Sequence, residues 1–477
     1  MGPETSCTWK RRSAARVGPS VSARLDRLPP TRYFRGLVVR IAIGGWFEFY
    51  EMFMAAYISL GLIRSGLYHA TTAGLFDING FASFLGSFFA GMFVGTVALG
   101  GFTDRFGRRA VFTCAMLVYS AATFIAAFQT SPEAMDLWRF VAGVGIGVQL
   151  ITVDTYISEL TPHHTRGRYS AFSILVILTS VPIVAVLSFL LVPHVIFGLD
   201  GWRWIMIIGS AGAILIWFMR RGLPESPRWL EGKGRDAEAS EIVDAIERRV
   251  SAEIGHALEA PRPDATTPAD STKDSKGSWA EMWKRPYLSR TVMLSLFNFC
   301  QTFGVYGFGA WVPVLLYTKG ITVTHSLFYT MVIAFTTPLG ALGAMLCAER
   351  LQRKWQLVGC ALAVAVAGVL FGMVRDPVLI VLFGGIVTIA NNWLIGIFHT
   401  YQAELYPTRI RARAVGFVFS WSRVSSIFVG FWVAALLKHS GVPAVFVLIS
   451  AAMLVIVVMV GLLGPKTNGI RLEELSQ

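Results

Sequence analysis

Two carboxylates stand where a membrane-crossing helix has little tolerance for charge. Glu48 and Glu51 lie about midway along an apolar run from Gly36 to Ile63, in the order Gly44-Gly-Trp-Phe-Glu48-Phe-Tyr-Glu51-Met-Phe. An acid at the centre of a bilayer costs about 2.5 to 3.5 kcal/mol on insertion scales, so neither is expected to face lipid. Three residues apart on a helix, both side chains fall on one face, which is read as facing an interior cavity. A carboxyl held in such a poorly solvated place can bind and release a proton near neutral pH, as proton coupling requires.

Other polar residues sit at comparable depth. Arg139, toward the outer end of the fourth apolar run, is the countercharge expected for the Glu48 and Glu51 pair. Arg423, in Phe419-Ser-Trp-Ser-Arg423-Val-Ser-Ser, either pairs with an acid such as Glu48 or Asp154 or waits for an anionic ligand. A guanidinium grips a carboxylate with two parallel hydrogen bonds. Asn298, Gln301 and Tyr306 in the seventh run, with Asn391, Asn392, Trp393 and His399 in the tenth, offer amides and aromatic faces to a polar, ring-bearing solute. Asp154 and His399 are candidates for proton relay, against the plainer reading of a structurally satisfied histidine.

Twelve apolar runs must position these groups. With 477 residues, 54% hydrophobic, only 15% charged and a mean hydropathy of +0.57, the chain is too apolar to be a soluble protein of this length. Six runs of the length needed to cross a bilayer fall within residues 36–221 and six within 289–464. A basic tail (1–35), a polar central loop (222–288) and a short tail (465–477) complete the chain. In the loop, Asp236 to Val250 alternates charged and apolar residues like a surface helix, and Ala260 to Ser278 reads as a flexible linker. Glycine and proline inside the runs, such as Gly91, Gly95, Pro182 and Pro338, suit close helix contact and local bends. Gly304 to Pro313 would let the seventh run bend as a gate.

The formal charge of +13 follows the membrane rather than nucleic acid. Arginines crowd the amino-terminal stretch and alternate loops, while the opposite loops carry isolated charges such as Arg64, Arg203, Lys319 and Arg375. The positive-inside rule then puts both termini and the central loop in the cytoplasm.

Charged clusters also repeat at one spacing. Asp104, Arg105, Arg108 and Arg109 recur 245 residues later as Glu349, Arg350, Arg353 and Lys354. Tyr156, Glu159, Pro162, Arg166 and Arg168 recur at the same offset as Tyr401, Glu404, Pro407, Arg411 and Arg413. Two clusters sharing one offset mean an internal duplication, the plan of many secondary transporters. Glu159 and Glu404 are the available partners for these cations, in a network expected to hold the ends of the two bundles together and to break when the site opens.

Four stretches carry a family likeness: Gly101 to Arg109; Arg139 to Gly147 running into Tyr156-Ile-Ser-Glu159-Leu-Thr-Pro162; Pro224-Glu-Ser-Pro-Arg-Trp-Leu230; and Glu404-Leu-Tyr-Pro-Thr-Arg409. Through them the chain resembles the major facilitator superfamily, in its sugar porter and aromatic acid–proton symporter branches. The resemblance implies an all-α polytopic membrane protein, with twelve transmembrane helices in two pseudo-symmetric six-helix bundles and a rocker-switch cycle. It matches Tyr50-Glu51 to the acid of span one that faces an arginine of span four in proton-coupled sugar porters. Glu48 matches the first acid of the aromatic acid branch, and this chain departs from both by carrying Glu instead of Asp. Arg423 resembles an arginine of aromatic acid and nicotinate permeases that sugar carriers lack.

The reading is therefore a proton-coupled carrier for a small organic acid, acting as a monomer in the inner membrane. The alternatives are a proton-coupled sugar or polyol porter and an efflux antiporter; the latter is disfavoured by Thr179-Ser-Val-Pro182 in span five. A solute sensor is a further alternative, disfavoured by the short carboxy-terminal tail. Its partners are a small solute, a proton and membrane lipid, with no cofactor and no metal. Cys7, Cys114, Cys300, Cys347 and Cys360 have neither disulfide nor metal spacing. Gly143-x-Gly145-x-Gly147 lies inside an apolar run and is read as helix packing, not a phosphate loop, and nothing in the sequence points to an enzyme.

Overall fold

A computed structural model describes residues 19–467, apart from 72–73, 75, 100, 220–221, 257, 259, 261–278 and 348–349. The chain is almost entirely helical, because in lipid only a helix or a closed barrel satisfies every backbone polar group. The first half runs α1 (Val21–Asp26), α2 (Arg32–Arg64), α3 (Phe81–Leu99), α4 (Phe102–Phe106), α5 (Arg108–Ala126) and α6 (Pro132–Leu160). It continues with α7 (Arg166–Leu178), α8 (Ser180–Leu191), a two-residue ribbon of β1 (Val195–Ile196) and β2 (Leu199–Asp200), α9 (Gly201–Ser210) and α10 (Gly212–Met219). The central loop holds α11 (Pro227–Gly232) and α12 (Asp236–Ile254). The second half runs α13 (Tyr287–Thr302), α14 (Val312–Thr318), α15 (Val323–Ala334), α16 (Thr337–Cys347), α17 (Arg353–Met373), α18 (Pro377–Glu404) and α19 (Thr408–Leu463).

Among the described residues, eight helices are long and apolar enough to cross a membrane, and a ninth crossing is the pair Tyr287–Phe308 and Val312–Thr318, bent by 55°. Three more complete the twelve runs in order: α2, whose charges dilute its apolarity; the broken segment α9 and α10; and the division of α19 at Gly441. There φ is 75° and Pro443 follows. Only glycine holds that left-handed geometry cheaply, so the chain turns from its eleventh crossing into its twelfth there.

Two helices meet backbone to backbone. A Cβ placed on Gly91 or Gly95 of α3 would run into the carbonyl oxygens of Phe140 or Val144 on α6. A Cβ on Gly143 or Gly147 of α6 would run into those of Phe88 or Met92 on α3. A Cβ placed on Gly145, on another face of α6, would come within 3.0 Å of Ala115 O of α5. The three glycines of the Gly-x-Gly-x-Gly run thus serve close packing against two neighbours, as small residues do in membrane bundles.

Residues 19–35 depart from the expected trailing tail. Arg24 of α1 gives Nε and Nη2 to the two carboxylate oxygens of Glu247 on α12, at 3.1 and 2.7 Å, and also pairs with Asp244. Arg27 reaches Glu247 at 2.7 Å. Behind these pairs α12 buries Ala239, Val243, Ile246 and Val250, one helical stripe, beside Leu25 and Leu28. Asp26 accepts from Arg228 Nη2 at 2.8 Å and from the His163 amide at 2.7 Å, tying α1 to α11 and to the end of α6.

On the opposite face, isolated cations close helix ends. Arg203 donates to the carbonyls of Ala127 and Gln129 at 2.6 and 2.9 Å, and Lys319 to those of Phe371 and Val374 at 2.6 and 3.1 Å. Both complement the negative end of a helix. Burial, with Arg375 close by, pulls the Lys319 ammonium down to about 8.

Glycine to alanine inside a helix ordinarily stabilises by about 0.5 to 1 kcal/mol. Gly143→Ala is expected to do the reverse, lowering the thermal unfolding midpoint of purified protein by forcing α3 from α6. Gly359→Ala, with nothing within 4 Å of its Cβ, should leave the midpoint unchanged or raise it.

Candidate transport site

Glu51 and Arg139 form one buried ion pair. Arg139 Nη1 donates to Glu51 Oε1 at 2.9 Å, with the two side chains 0% and 1% exposed. Thr123 of α5 donates to the same oxygen, and the guanidinium lies over the rings of Phe84 and Phe88 of α3, 4.7 and 4.3 Å from their centroids. Four helices therefore build this spot: α2 brings the acid, α6 the base, α5 a hydroxyl and α3 two aromatic faces. Removing two charges from water is costly, and the pair persists because each supplies what the other lost.

Glu48 does not share this partner, contrary to expectation. The turn between the two acids carries its carboxylate toward Asp154 of α6 and Arg423 of α19, whose charges both act on it. It is 2% exposed, and its Oε1 has no hydrogen-bond partner among the described residues. Gln149 of α6, fully buried, has no partner for either amide atom among the described residues. Unsatisfied buried polar atoms are expensive, so a group of them in the interior of the bundle is a place for a ligand or water.

Across the interior, Arg423 is 8% exposed and forms no ion pair among the described residues. Its Nη1 meets Met92 Sδ of α3 at 3.1 Å, its guanidinium lies 4.9 Å from the Phe419 ring, and its Nε is unpartnered. Tyr306 enters the same interface, with its ring 4.5 Å from that of Phe89 and its hydroxyl 3.7 Å from Met52 Sδ. Asn298 and Gln301 are buried and joined at 3.0 Å, and Asn391 donates to Gly304 O at 2.9 Å while its Oδ1 stays unpartnered. Gly304 belongs to the π-helical turn 303–308 just before the bend of span seven, where flexing was expected.

Asn392 and Trp393 turn elsewhere. Asn392 packs against Gly340 and donates to Thr388 O at 2.9 Å. Trp393 packs on Gly343, donates to Gln356 Oε1 at 3.0 Å, and lines an apolar cleft with Gly359, Cys360 and Ala363. Successive helical residues point about 100° apart, so three in a row cannot face one cavity. Asp154 and His399, related by the 245-residue offset, are both exposed although they sit amid the protein and feel interior charges. Aromatic contacts between the halves gather at the end away from α12: Phe81 on Trp311 at 5.3 Å, Phe76 on Phe431 at 5.1 Å and Phe189 on Phe328 at 5.7 Å.

The charged clusters pair within each half. Arg108 grips Glu159 with Nε and Nη2, at 3.0 and 2.9 Å, and meets Asp104 at 3.0 Å. At the repeat-related positions Arg353 meets Glu404 at 3.1 Å. These pairs join α5 to α6 and α17 to α18 rather than one bundle to the other, because short loops bring neighbours of one half together first. Tyr156 donates to Pro224 O, and its repeat mate Tyr401 to Pro465 O at 3.0 Å. Arg105 lies over Phe106, Arg411 donates to Tyr406 O at 3.1 Å, Arg350 is exposed, Arg166 acts on Arg228, and Glu349 lies outside the described residues. Sequence reading missed Glu225, whose carboxylate accepts from the amides of Arg108 and Arg109 at 2.9 and 3.1 Å and so caps α5. It also missed Gln149, though a polar residue deep in an apolar run was signal enough.

Residues 37–477 match the family described as Sugar (and other) transporter. YyaJ of Bacillus subtilis strain 168, named as a metabolite transport protein, is 33% identical over 448 residues, which cover 93% of this chain and 95% of that protein. The niacin transporter NiaP of Acinetobacter baylyi is 29% identical over 459 residues, covering 95% of this chain and 99% of the relative. The 4-hydroxybenzoate transporter PcaK of the same organism is 26% identical over 352 residues, covering 73% and 74%. Among solved structures, the xylose transporter XylE from E. coli, in a partially occluded inward open conformation, superposes with a TM-score of 0.72 at 18% identity. That match covers 92% of this chain and 100% of XylE, and it speaks for the fold alone.

Replacing Glu225 by Ala should cost about 1 kcal/mol, as loss of a helix cap does. It should also speed hydrogen exchange at the amides of Arg108 and Arg109 while leaving the start of α17 unchanged.

Proposed function

The chain belongs to the sugar transporter family of the major facilitator superfamily, and from that premise we propose that it carries a small carboxylate-bearing solute together with a proton. It is a multi-pass membrane transporter, not an enzyme. The observation that carries the proposal is Arg423, a buried guanidinium that makes no salt bridge or side-chain hydrogen bond to a carboxylate among the described residues, although the charge of Glu48 reaches it. A buried cation left alone is strongly unfavourable. A solute carboxylate supplies the missing partner, in the two-point geometry that guanidinium favours.

Tyr306 and Arg423 meet α3 at Phe89 and Met92, one turn apart, so a ring attached to that carboxylate falls beside the Tyr306 ring. Asn298, Gln301 and Asn391 lie on the neighbouring helices as polar contacts. Relatives named for niacin and for 4-hydroxybenzoate are named for acids of this kind, a carboxylate on a flat ring. A neutral sugar would leave Arg423 without a direct salt-bridge partner.

Glu51 is the proton carrier in this reading. Its protonation dissolves the ion pair with Arg139, and its deprotonation restores it, so the tie between α2 and α6 depends on the proton. Glu48 and Asp154 form the way from the interior surface to it, with Asp154 the exposed member. The α12 face, rich in arginine, is the cytoplasmic one by the positive-inside rule. In this reading the aromatic contacts close the far end, Asp154 and His399 are exposed toward the α12 face, and the Arg108–Glu159 and Arg353–Glu404 pairs hold the helix ends there. Uptake by a monomer follows as the simplest mode.

In proteoliposomes with an inward proton gradient, the protein should accumulate nicotinate or 4-hydroxybenzoate, and Arg423→Gln should abolish this. Arg423→Lys should retain less than about a tenth, since the ammonium offers no fork. Movement of a neutral hexose that ignores Arg423 would overturn the assignment. Glu51→Gln should stop gradient-driven accumulation while leaving solute exchange measurable. Accumulation unchanged in that variant would remove Glu51 from the coupling step.

A further inference from the structure

We propose that Asp136 is a second counter-ion for Arg139, which receives the guanidinium each time Glu51 is protonated. This rests on Glu51 as the proton carrier and adds what happens to the charge left behind. Arg139 is 0% exposed and offers five N–H donors. Only Nη1 is engaged with Glu51, and Nε and Nη2 are buried with no hydrogen-bond partner among the described residues. When Glu51 becomes a neutral acid, a fully buried cation would stand without an opposite charge. That state costs more than the binding of one proton can ordinarily return.

The surroundings offer few substitutes. From α2 come Glu51 itself and Tyr50; from α5, Thr123 and Tyr119; from the segment after α2, Tyr68. α3 contributes the rings of Phe84 and Phe88 and the hydroxyls of Ser83 and Ser87. On α6 itself stand Glu133, which is exposed, and Asp136, which is half-buried. Asp136 precedes Arg139 by three residues, so the two share a helix face, and their charges already act on one another. Its Oδ1 accepts the Tyr68 hydroxyl at 2.6 Å, which fixes the carboxylate in place. A change of side-chain rotamer, with no helix movement, brings the guanidinium from one acid to the other.

The charges balance. With Glu51 and Asp136 ionised, the three groups carry one net negative charge. Uptake of one proton on a Glu51 oxygen makes them neutral, and only N–H···O contacts are exchanged. The mechanical result is that an ion pair between α2 and α6 becomes one within α6. Protonation thus releases α2 while Arg139 stays paired.

The test needs no knowledge of the solute. In infrared pH-difference spectra of the purified full-length protein, the carboxylic acid band that vanishes in Glu51→Gln reports Glu51. In Asp136→Asn the midpoint of that band should fall by about one pH unit, a tenfold loss of proton affinity, and Asp136→Glu should restore it. Tyr68→Phe, which removes the hydrogen bond but not the charge, should leave the midpoint in place. Glu51→Gln alone should unfold near the wild-type temperature, because Asp136 takes over, whereas Glu51→Gln with Asp136→Asn should unfold well below it. A Glu51 band with the same midpoint in Asp136→Asn would overturn this inference and leave Glu51 as carrier. A Tyr68→Phe shift as large as that of Asp136→Asn would overturn it too, by assigning the effect to packing. Absence of any Glu51 band would instead overturn the coupling role, and this inference with it.

Discussion

A guanidinium that has been stripped of water must always have a negative neighbour. Much of the first bundle can be understood from that demand on Arg139. The acid at Glu51 and the rings of Phe84 and Phe88 each satisfy part of it, and the Thr123 hydroxyl holds that acid in place by donating to it, so that α2, α3 and α5 all serve one residue of α6. Such a charge adds little net stability compared with an apolar core of equal volume. What it adds, under the proposed coupling, is a dependence of helix contacts on a proton, which a carrier can use and a purely apolar core cannot provide.

The duplication shows where the two halves still obey one rule and where they have parted. The pairs Arg108–Glu159 and Arg353–Glu404, and the hydroxyls of Tyr156 and Tyr401 on proline carbonyls, occupy equivalent places. They close the ends of helices, a need common to both bundles. Deeper in, the positions equivalent to Arg139 and Asp154 are Gly384 and His399. The buried acid–base pair of α2 and α6 thus belongs to the first half, while Arg423, a buried arginine with no salt bridge among the described residues, belongs to the second.

The fold was legible because a lipid environment makes apolar runs and charge asymmetry speak directly about crossings. The offset of 245 residues pointed to matched charged clusters; depth assigned Arg139 to the Glu48 and Glu51 pair as a whole, and it was the resemblance that singled out Glu51, which is the acid Arg139 meets. What stayed hidden depended on rotation about helix axes. Glu48, on the same face of α2 but one turn along the axis from Glu51, came under the charges of Asp154 and Arg423 instead of Arg139, and Trp393 turned out to an apolar cleft, since a run that is apolar on every face carries no phase signal. The cluster at the loop between α3 and α5 was expected to bridge the bundles, but charge pattern does not say which of several nearby acids a cation will choose. Residues 19–35 looked like a free tail because the acids that hold them, Asp244 and Glu247, lie more than two hundred positions away.

The glycine contacts between α3 and α6 bear on how force could pass through the molecule. With carbonyls of each helix lying against the glycines of the other, interlocked packing of this closeness opposes separate sliding of the two, so that they would act together as a beam. Arg423 from the second half rests on one end of that beam at Met92, and Arg139 is mounted further along it. A tilt of the second half would therefore be delivered as leverage on the joint between α6 and α2, with little lost to bending on the way.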